Sequence, residues 1–213
     1  MKPYYEDGAV TIYHGDCREI LSSIGKVDLV LTDPPYGIGE SSRRCASRGS
    51  KKIPATDYGF FDWDKSPPSK ELIELTVSAG TRAILWGGNY FNLPPSRGWF
   101  VWDKQNTGYF ADCELAWTNL ETSVRIFRHM WNGMIRAGEE RGVKRVHPTQ
   151  KPIALMRWCI QKAGAVETIL DPFMGSGTTL RAAKDLGCKA IGIELDERYC
   201  EIAANRMLQE VLF

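Results

Sequence analysis

The sequence predicts an α/β fold: a doubly wound, mostly parallel seven-stranded sheet with helices on both faces and an antiparallel hairpin at its edge. Three observations lead there. Seven short apolar runs, rich in Val, Ile, Leu and aromatic residues, are bounded by Gly, Pro or Asp. Helix-length stretches separate most of them, which suits crossovers between parallel strands. One consecutive pair of runs has no helix between its members, which suits a hairpin.

The first run, AVTIYHGD (9–16), leads into a short helix over 17–24. VDLVLTD (27–33) is apolar nearly throughout, as strands covered on both faces are. A helix over 69–79 precedes TRAILWGG (81–88), and GWFVWDK (98–104) with CELAWT (113–118) forms the hairpin. Trp86, Trp99, Trp102 and Trp117 fall within these strands, where core or edge packing is expected. The chain then alternates helix 151–164, strand ETILDPF (167–173), helix 178–187 and strand KAIGIEL (189–195). The closing helix, 196–210, places Tyr199, Ile202, Ala203 and Met207 on one side.

Residues 1–213 read as a single domain, with 43% hydrophobic and 25% charged residues, ordinary for a globular protein. No run of about 18 apolar residues exists, and the start, MKPYYEDG, lacks a signal core, so an intracellular, cytoplasmic protein is expected. The six cysteines are scattered with no Cys-x-x-Cys pair, and the three histidines are not at ligand spacing. Neither a disulfide framework nor a metal is therefore expected. Net charge is +1, but the average hides two basic segments. The polar segment 37–62 holds Arg43, Arg44, Arg48, Lys51 and Lys52 with no acid among them. The segment 125–147 holds Arg125, Arg128, Arg136, Arg141, Lys144 and Arg145 against Glu139 and Glu140. Both read as loops, and loops of that length are usually functional or disordered.

The first chemical signal is Asp33-Pro34-Pro35-Tyr36, where an apolar strand ends. Ligand sites of open α/β sheets gather at such carboxyl ends. An aromatic amino nitrogen is a poor nucleophile because its lone pair is delocalised. A carboxylate and a carbonyl of the proline segment can grip both of its N–H bonds, and Tyr36 can stack on a base taken out of a duplex. The prolines hold these groups in place without rearrangement. The plain alternative is a strand-ending turn with Asp as cap and Pro-Pro as breaker.

The second signal is ILDPFMGSGTTLRAA, 169–183: a strand ending at Asp171, a turn with Gly175 and Gly177, and a helix opening at Thr178 and Thr179. Glycines there let backbone approach a nucleotide-like ligand. The pattern is neither a dinucleotide fingerprint nor a phosphate loop. Glu194, ending the next strand, is placed to take both ribose hydroxyls of an adenosine-type ligand. A tight strand-to-helix turn with a surface Glu is the alternative.

DPPY, DPFMGSGTT and HPTQKP (147–152) together resemble the S-adenosylmethionine-dependent DNA amino-methyltransferases, which modify adenine N6 or cytosine N4. DPPY before the glycine turn resembles their β class, and the likeness spans nearly the whole chain. It implies a Rossmann-like methyltransferase fold with S-adenosyl-L-methionine as cofactor and flipped bases of double-stranded DNA as substrate. By position, it implies a catalytic set of Asp33, Pro34, Pro35 and Tyr36. The implied cofactor set is Asp16, Cys17, Asp33, Lys151, Asp171, Pro172, Phe173, Gly175, Ser176, Gly177, Thr178, Glu194 and Leu195. Within it, Phe173, Gly175 and Gly177 would line the methionine part, Glu194 would hold the ribose, and Asp16 would lie near the adenine. HPTQKP would close over the methionine end, although Lys151 equally suits a solvated charge in a first helical turn. DPPY, with Asp rather than Ser first, points to adenine N6.

Family members usually carry a sizeable target-recognition insert, whereas here only residues 125–147 are available. The basic segments are the natural substitutes: Arg43, Arg44, Arg48, Lys51, Lys52, Arg128, Arg136, Lys144 and Arg145 are expected at DNA, chiefly on phosphates. Phe60, Phe61 and Trp63 suit either stacking beside the displaced base or core packing. The remaining alternatives are a homodimer, methylation of RNA or a protein amide, a catalytically silent DNA-binding module and, distantly, a nicotinamide oxidoreductase.

Overall fold

The computed structural model describes residues 1–38, 66–106, 111–132, 135–138 and 149–209. Strands β1 (Tyr5–Glu6), β2 (Val10–His14), β3 (Val27–Thr32), β4 (Gly80–Trp86), β5 (Trp99–Asp103), β6 (Cys113–Thr118) and β7 (Arg125–Arg128) come first. The short ribbon β8 (Trp131–Asn132) and β9 (Ile135–Arg136) follows, then β10 (Thr168–Asp171) and β11 (Lys189–Glu194). The helices are α1 (Cys17–Ile20), α2 (Lys70–Ser78), α3 (Ile153–Ala163), α4 (Thr178–Asp185) and α5 (Glu197–Met207). All seven predicted strands and all five predicted helices are present, with ends trimmed by a few residues.

The main sheet has nine strands where seven were expected, β1 and β7 being the additions, and runs in the order β1-β2-β11-β10-β3-β4-β6-β5-β7. The block from β2 to β4 is parallel throughout. Strand β6 is antiparallel to both β4 and β5. The expected edge hairpin is therefore real but not at the edge, because β7 pairs parallel with β5 outside it. The basic segment from 125 thus begins as a strand and not as a loop. Its sequence, RIFR, hides this: only Phe127 is even half-buried, so no apolar alternation betrays a strand held mainly by its ladder to β5.

Side-chain alternation splits the core between the two faces. Leu29, Leu31, Ile84, Trp86 and Ile169 pack with Leu155 and Met156 of α3, Leu180 of α4 and Ala203 of α5. Val30, Leu85, Leu170 and Ile193 pack with Ile20 of α1 and Ile73 of α2. Strands β3, β4 and β10 are apolar on both sides because helices cover both. Trp86, Trp102 and Trp117 are buried in this core, as their strand positions imply.

The topology also fixes where a ligand can sit. From β3 the chain moves outward through α2 to β4, and from β10 it moves the other way through α4 to β11. The neighbours β3 and β10 therefore flank the switch point, and their carboxyl ends open onto the same edge.

Candidate active site

Four parallel strand ends deliver acids or a glycine turn to that edge: Gly15-Asp16 after β2, Asp33 after β3, Asp171 closing β10 and Glu194 closing β11. Together they border a cavity of about 530 Å³. Its size lies within the roughly 300–1,000 Å³ common for small-molecule sites. Phe173, Gly175, Ser176 and Thr178 from the glycine turn line it, as do Thr149, Gln150 and Lys151 ahead of α3. The Thr32 hydroxyl donates to Asp171 Oδ1 at 2.6 Å, joining the two strand ends across the switch point.

At the β3 end, Asp33 meets a buried lysine. Lys151 is 5% exposed, and its ammonium donates to Asp33 Oδ2 and, at 3.2 Å, to the Tyr36 hydroxyl. The Tyr36 hydroxyl donates in turn to Asp33 Oδ1 at 2.5 Å. On its far side Lys151 forms an ion pair of 3.1 Å with Glu114 Oε2, and Lys104 pairs with Glu114 Oε1. Burial raises the Asp33 pKa above its ordinary value; Lys151 opposes this and Glu114 adds to it. Burial works against the Lys151 ammonium, but Asp33 and Glu114 outweigh it and hold the lysine above its ordinary value. Burial also works against Glu114, which the two lysines nevertheless hold below its ordinary value. The cluster is therefore charge-balanced, with Glu114 the firmer anion and Asp33 the more basic acid.

The Tyr36 ring stacks on Tyr90, 4.8 Å between centroids and 13° between planes. Gly87, after β4, lies against the same ring with φ of 70°; a Cβ there would come within 2.0 Å of it. Only glycine fits both that backbone angle and that approach.

At the β10 and β11 end the acids meet neutral donors. Asp171 accepts from the Phe173 N–H at 3.1 Å as well as from Thr32. Burial pushes its pKa up to about 6. Glu194 accepts from the Gly175 N–H at 3.0 Å and the Asp196 N–H at 2.8 Å, and burial pushes it up to about 7. Asp16 caps α1 through the Arg18 N–H, and its pairing with the Arg18 side chain lowers its pKa.

A family model described as DNA methylase matches residues 99–205. The chain belongs to this family. M.ScaI, a type II methyltransferase of Streptomyces caespitosus, is 30% identical, over 98% of this chain and 84% of its own length. M2.DpnII of Streptococcus pneumoniae is 25% identical, over 98% and 93%. In fold, the M1.HpyAVI–SAM complex gives a TM-score of 0.59 at 24% identity, covering 92% of this chain and 99% of that one. The cytosine-N4-specific PvuII DNA methyltransferase gives 0.64 at 16%, covering 100% and 91%. The chain is thus an S-adenosylmethionine-dependent DNA methyltransferase.

The methyltransferase gathers most of the residues singled out in its sequence. Asp16, Cys17, Asp33, Lys151, Asp171, Pro172, Phe173, Gly175, Ser176, Thr178, Glu194 and Leu195 all border the one cavity, as does Pro35. Gly177 does not border it. It starts α4 with φ of 74°, and a Cβ would come 2.8 Å from that of Ala203, so its smallness lets α4 lie close on α5. Pro34 is buried, and Tyr36 stands behind Asp33 instead of facing the cavity. Lys151 is not a solvated first-turn charge: it precedes α3 and is buried among acids.

Of the basic residues, Arg128 closes β7 at the carboxyl edge, exposed and 3.5 Å from Asp103 Oδ2. Arg125 opens β7 at the opposite edge. Arg136 lies in β9. Arg43, Arg44, Arg48, Lys51, Lys52, Arg141, Lys144, Arg145, Phe60, Phe61 and Trp63 lie outside the described residues.

Sequence reasoning missed Lys104, Glu114, Gly87 and Tyr90. For Glu114 a signal exists. It is an acid in an apolar strand, two residues before the buried Ala116 and so on the same face. No described helix is long and apolar enough to cross a membrane.

Proposed function

We propose that this methyltransferase modifies N6 of adenine in double-stranded DNA after the base is turned out of the helix. The observation that carries the reading is Asp33, a carboxylate held by Lys151 and lining a cavity large enough for the cofactor. S-adenosylmethionine supplies an electrophilic methyl group on a sulfonium sulfur. Asp33 Oδ1 or Oδ2 accepts one amino N–H, a carbonyl of the Pro34-Pro35 segment accepts the other, and the nitrogen lone pair is freed towards the methyl. The amino proton becomes acidic as the new C–N bond forms, so Asp33 takes it without needing to be a strong base. A base stacking on Tyr36 would take the place of the exposed Tyr90 ring, since Gly87 packs against the Tyr36 ring and the Lys151 ammonium lies 5.3 Å from its centroid.

The same cavity supports the cofactor assignments. Glu194 retains lone pairs beyond its two backbone donors and can accept from ribose hydroxyls, and Asp16 sits at the far end beside Cys17 and Leu195. Phe173 and Gly175 border the space between Glu194 and Asp33, where the methionine portion would lie. The basic segments 37–62 and 125–147 would meet phosphates, giving salt-sensitive affinity. Homology does not separate adenine N6 from cytosine N4, so the test is chemical. DNA methylated by the purified protein is digested and its nucleosides identified. N6-methyladenine is expected; N4-methylcytosine would overturn the base assignment.

A further inference from the structure

Lys104 and Glu114 belong to none of the motifs, yet through Lys151 of HPTQKP their charges reach Asp33. Glu114 sits on β6 opposite Trp102 of β5, on the face covered by α3, and Lys151 reaches it from just ahead of that helix. Resting on the role proposed for Asp33, we infer that Glu114 is a positioning residue for methyl transfer. With Lys104 behind it, Glu114 holds the Lys151 ammonium against Asp33 and draws off part of that ammonium's charge.

The physical need is specific. A single buried lysine paired with Asp33 alone would bind the carboxylate tightly and make it a poor acceptor. With no lysine, burial would leave Asp33 neutral at moderate pH, and a protonated carboxyl offers the amino group one acceptor fewer. Sharing Lys151 between two acids lies between these limits. The sharing is unequal in the useful direction, because Lys104 secures the charge on Glu114 and leaves Asp33 the more basic of the two. Glu114 itself does not border the cavity, and it meets Asp33 only through Lys151.

The test is Glu114→Gln, with kcat measured against pH at saturating cofactor. The groups facing Asp33 are Lys151 ahead of α3, Tyr36 beyond β3, Glu114 on β6 and Asp171 on β10. Wild type and variant both keep Asp171, so a difference between them reports Glu114. Removing its negative charge lets Lys151 act on Asp33 undivided. The acid limb of kcat therefore moves to lower pH, and kcat at neutral pH falls roughly 10- to 100-fold, the range for members of one charged network. S-adenosylmethionine affinity by calorimetry stays within about 3-fold, since the cofactor end is untouched. Glu114→Asp keeps the charge but shortens the reach, and is expected to give an intermediate rate and limb. It serves as the test if Glu114→Gln does not fold. Wild-type kcat with an unmoved acid limb in the folded variants overturns the inference. Wild-type turnover by Asp33→Ala overturns instead the reading beneath it.

Discussion

Asp33, Asp171 and Glu194 stand at or just beyond the carboxyl ends of three adjacent parallel strands, all bordering one cavity. Their partners differ. Asp33 is met by an ammonium that a second acid shares, whereas Asp171 and Glu194 are met by a hydroxyl and backbone N–H groups. Neutral donors leave both acids raised, to about 6 and about 7. The contrast matches the proposed chemistry. An acid that manages charge developing during transfer needs a tuned counter-charge, while acids that shape a binding turn or hold hydroxyls need only well-placed dipoles.

The largest expected effect breaks the charged side. Asp33→Ala should lower methyl transfer by about 10² to 10⁴ while leaving cofactor affinity nearly intact. Single-turnover methylation and calorimetry would check the two halves, and equal losses in both would erase the distinction between the regions.

On the neutral side, Glu194→Gln should weaken S-adenosylmethionine binding roughly 10- to 100-fold, the worth of hydrogen bonds to a charged acceptor. Its pH behaviour sharpens the point. With a pKa of about 7, wild-type Glu194 is increasingly protonated below neutrality and becomes a poorer acceptor. Cofactor affinity should therefore fall as pH drops through 7 in the wild type and stay flat in the variant.

The smallest effect concerns stability. Asp171 holds its proton more tightly folded, at about 6, than at its ordinary 3.8. Rising pH therefore costs folding free energy across that window, and the cost is complete above 6. Asp171→Asn should reduce the fall in Tm between pH 4 and 6 without abolishing it, because Glu194 titrates in the same direction up to about 7. Calorimetric melts at a series of pH values would show an unchanged slope if Asp171 were an ordinary surface carboxylate.

Most of this architecture is legible in the chain because the dominant signals are local. The apolar runs, the helical spacing of Tyr199, Ala203 and Met207, and the DPPY and DPFMGSGTT turns each announce themselves within a few residues. Strand β7 is not legible, since its stability comes from pairing with β5 and not from its own side chains. Lys151 was equally undecidable, because a lysine beside a helix start looks the same whether its ammonium faces water or an acid more than a hundred positions away.

By itself, then, the sequence determined the sheet-and-helix alternation, the strand-end motifs and the family they resemble, all of which depend on short-range pattern and backbone preference. Only the tertiary structure decided which charges meet: Glu114 from a hairpin, Lys104 behind it and Tyr90 over Tyr36. Electrostatic partnership depends on distance in space and on the exclusion of water, and neither is written along the chain.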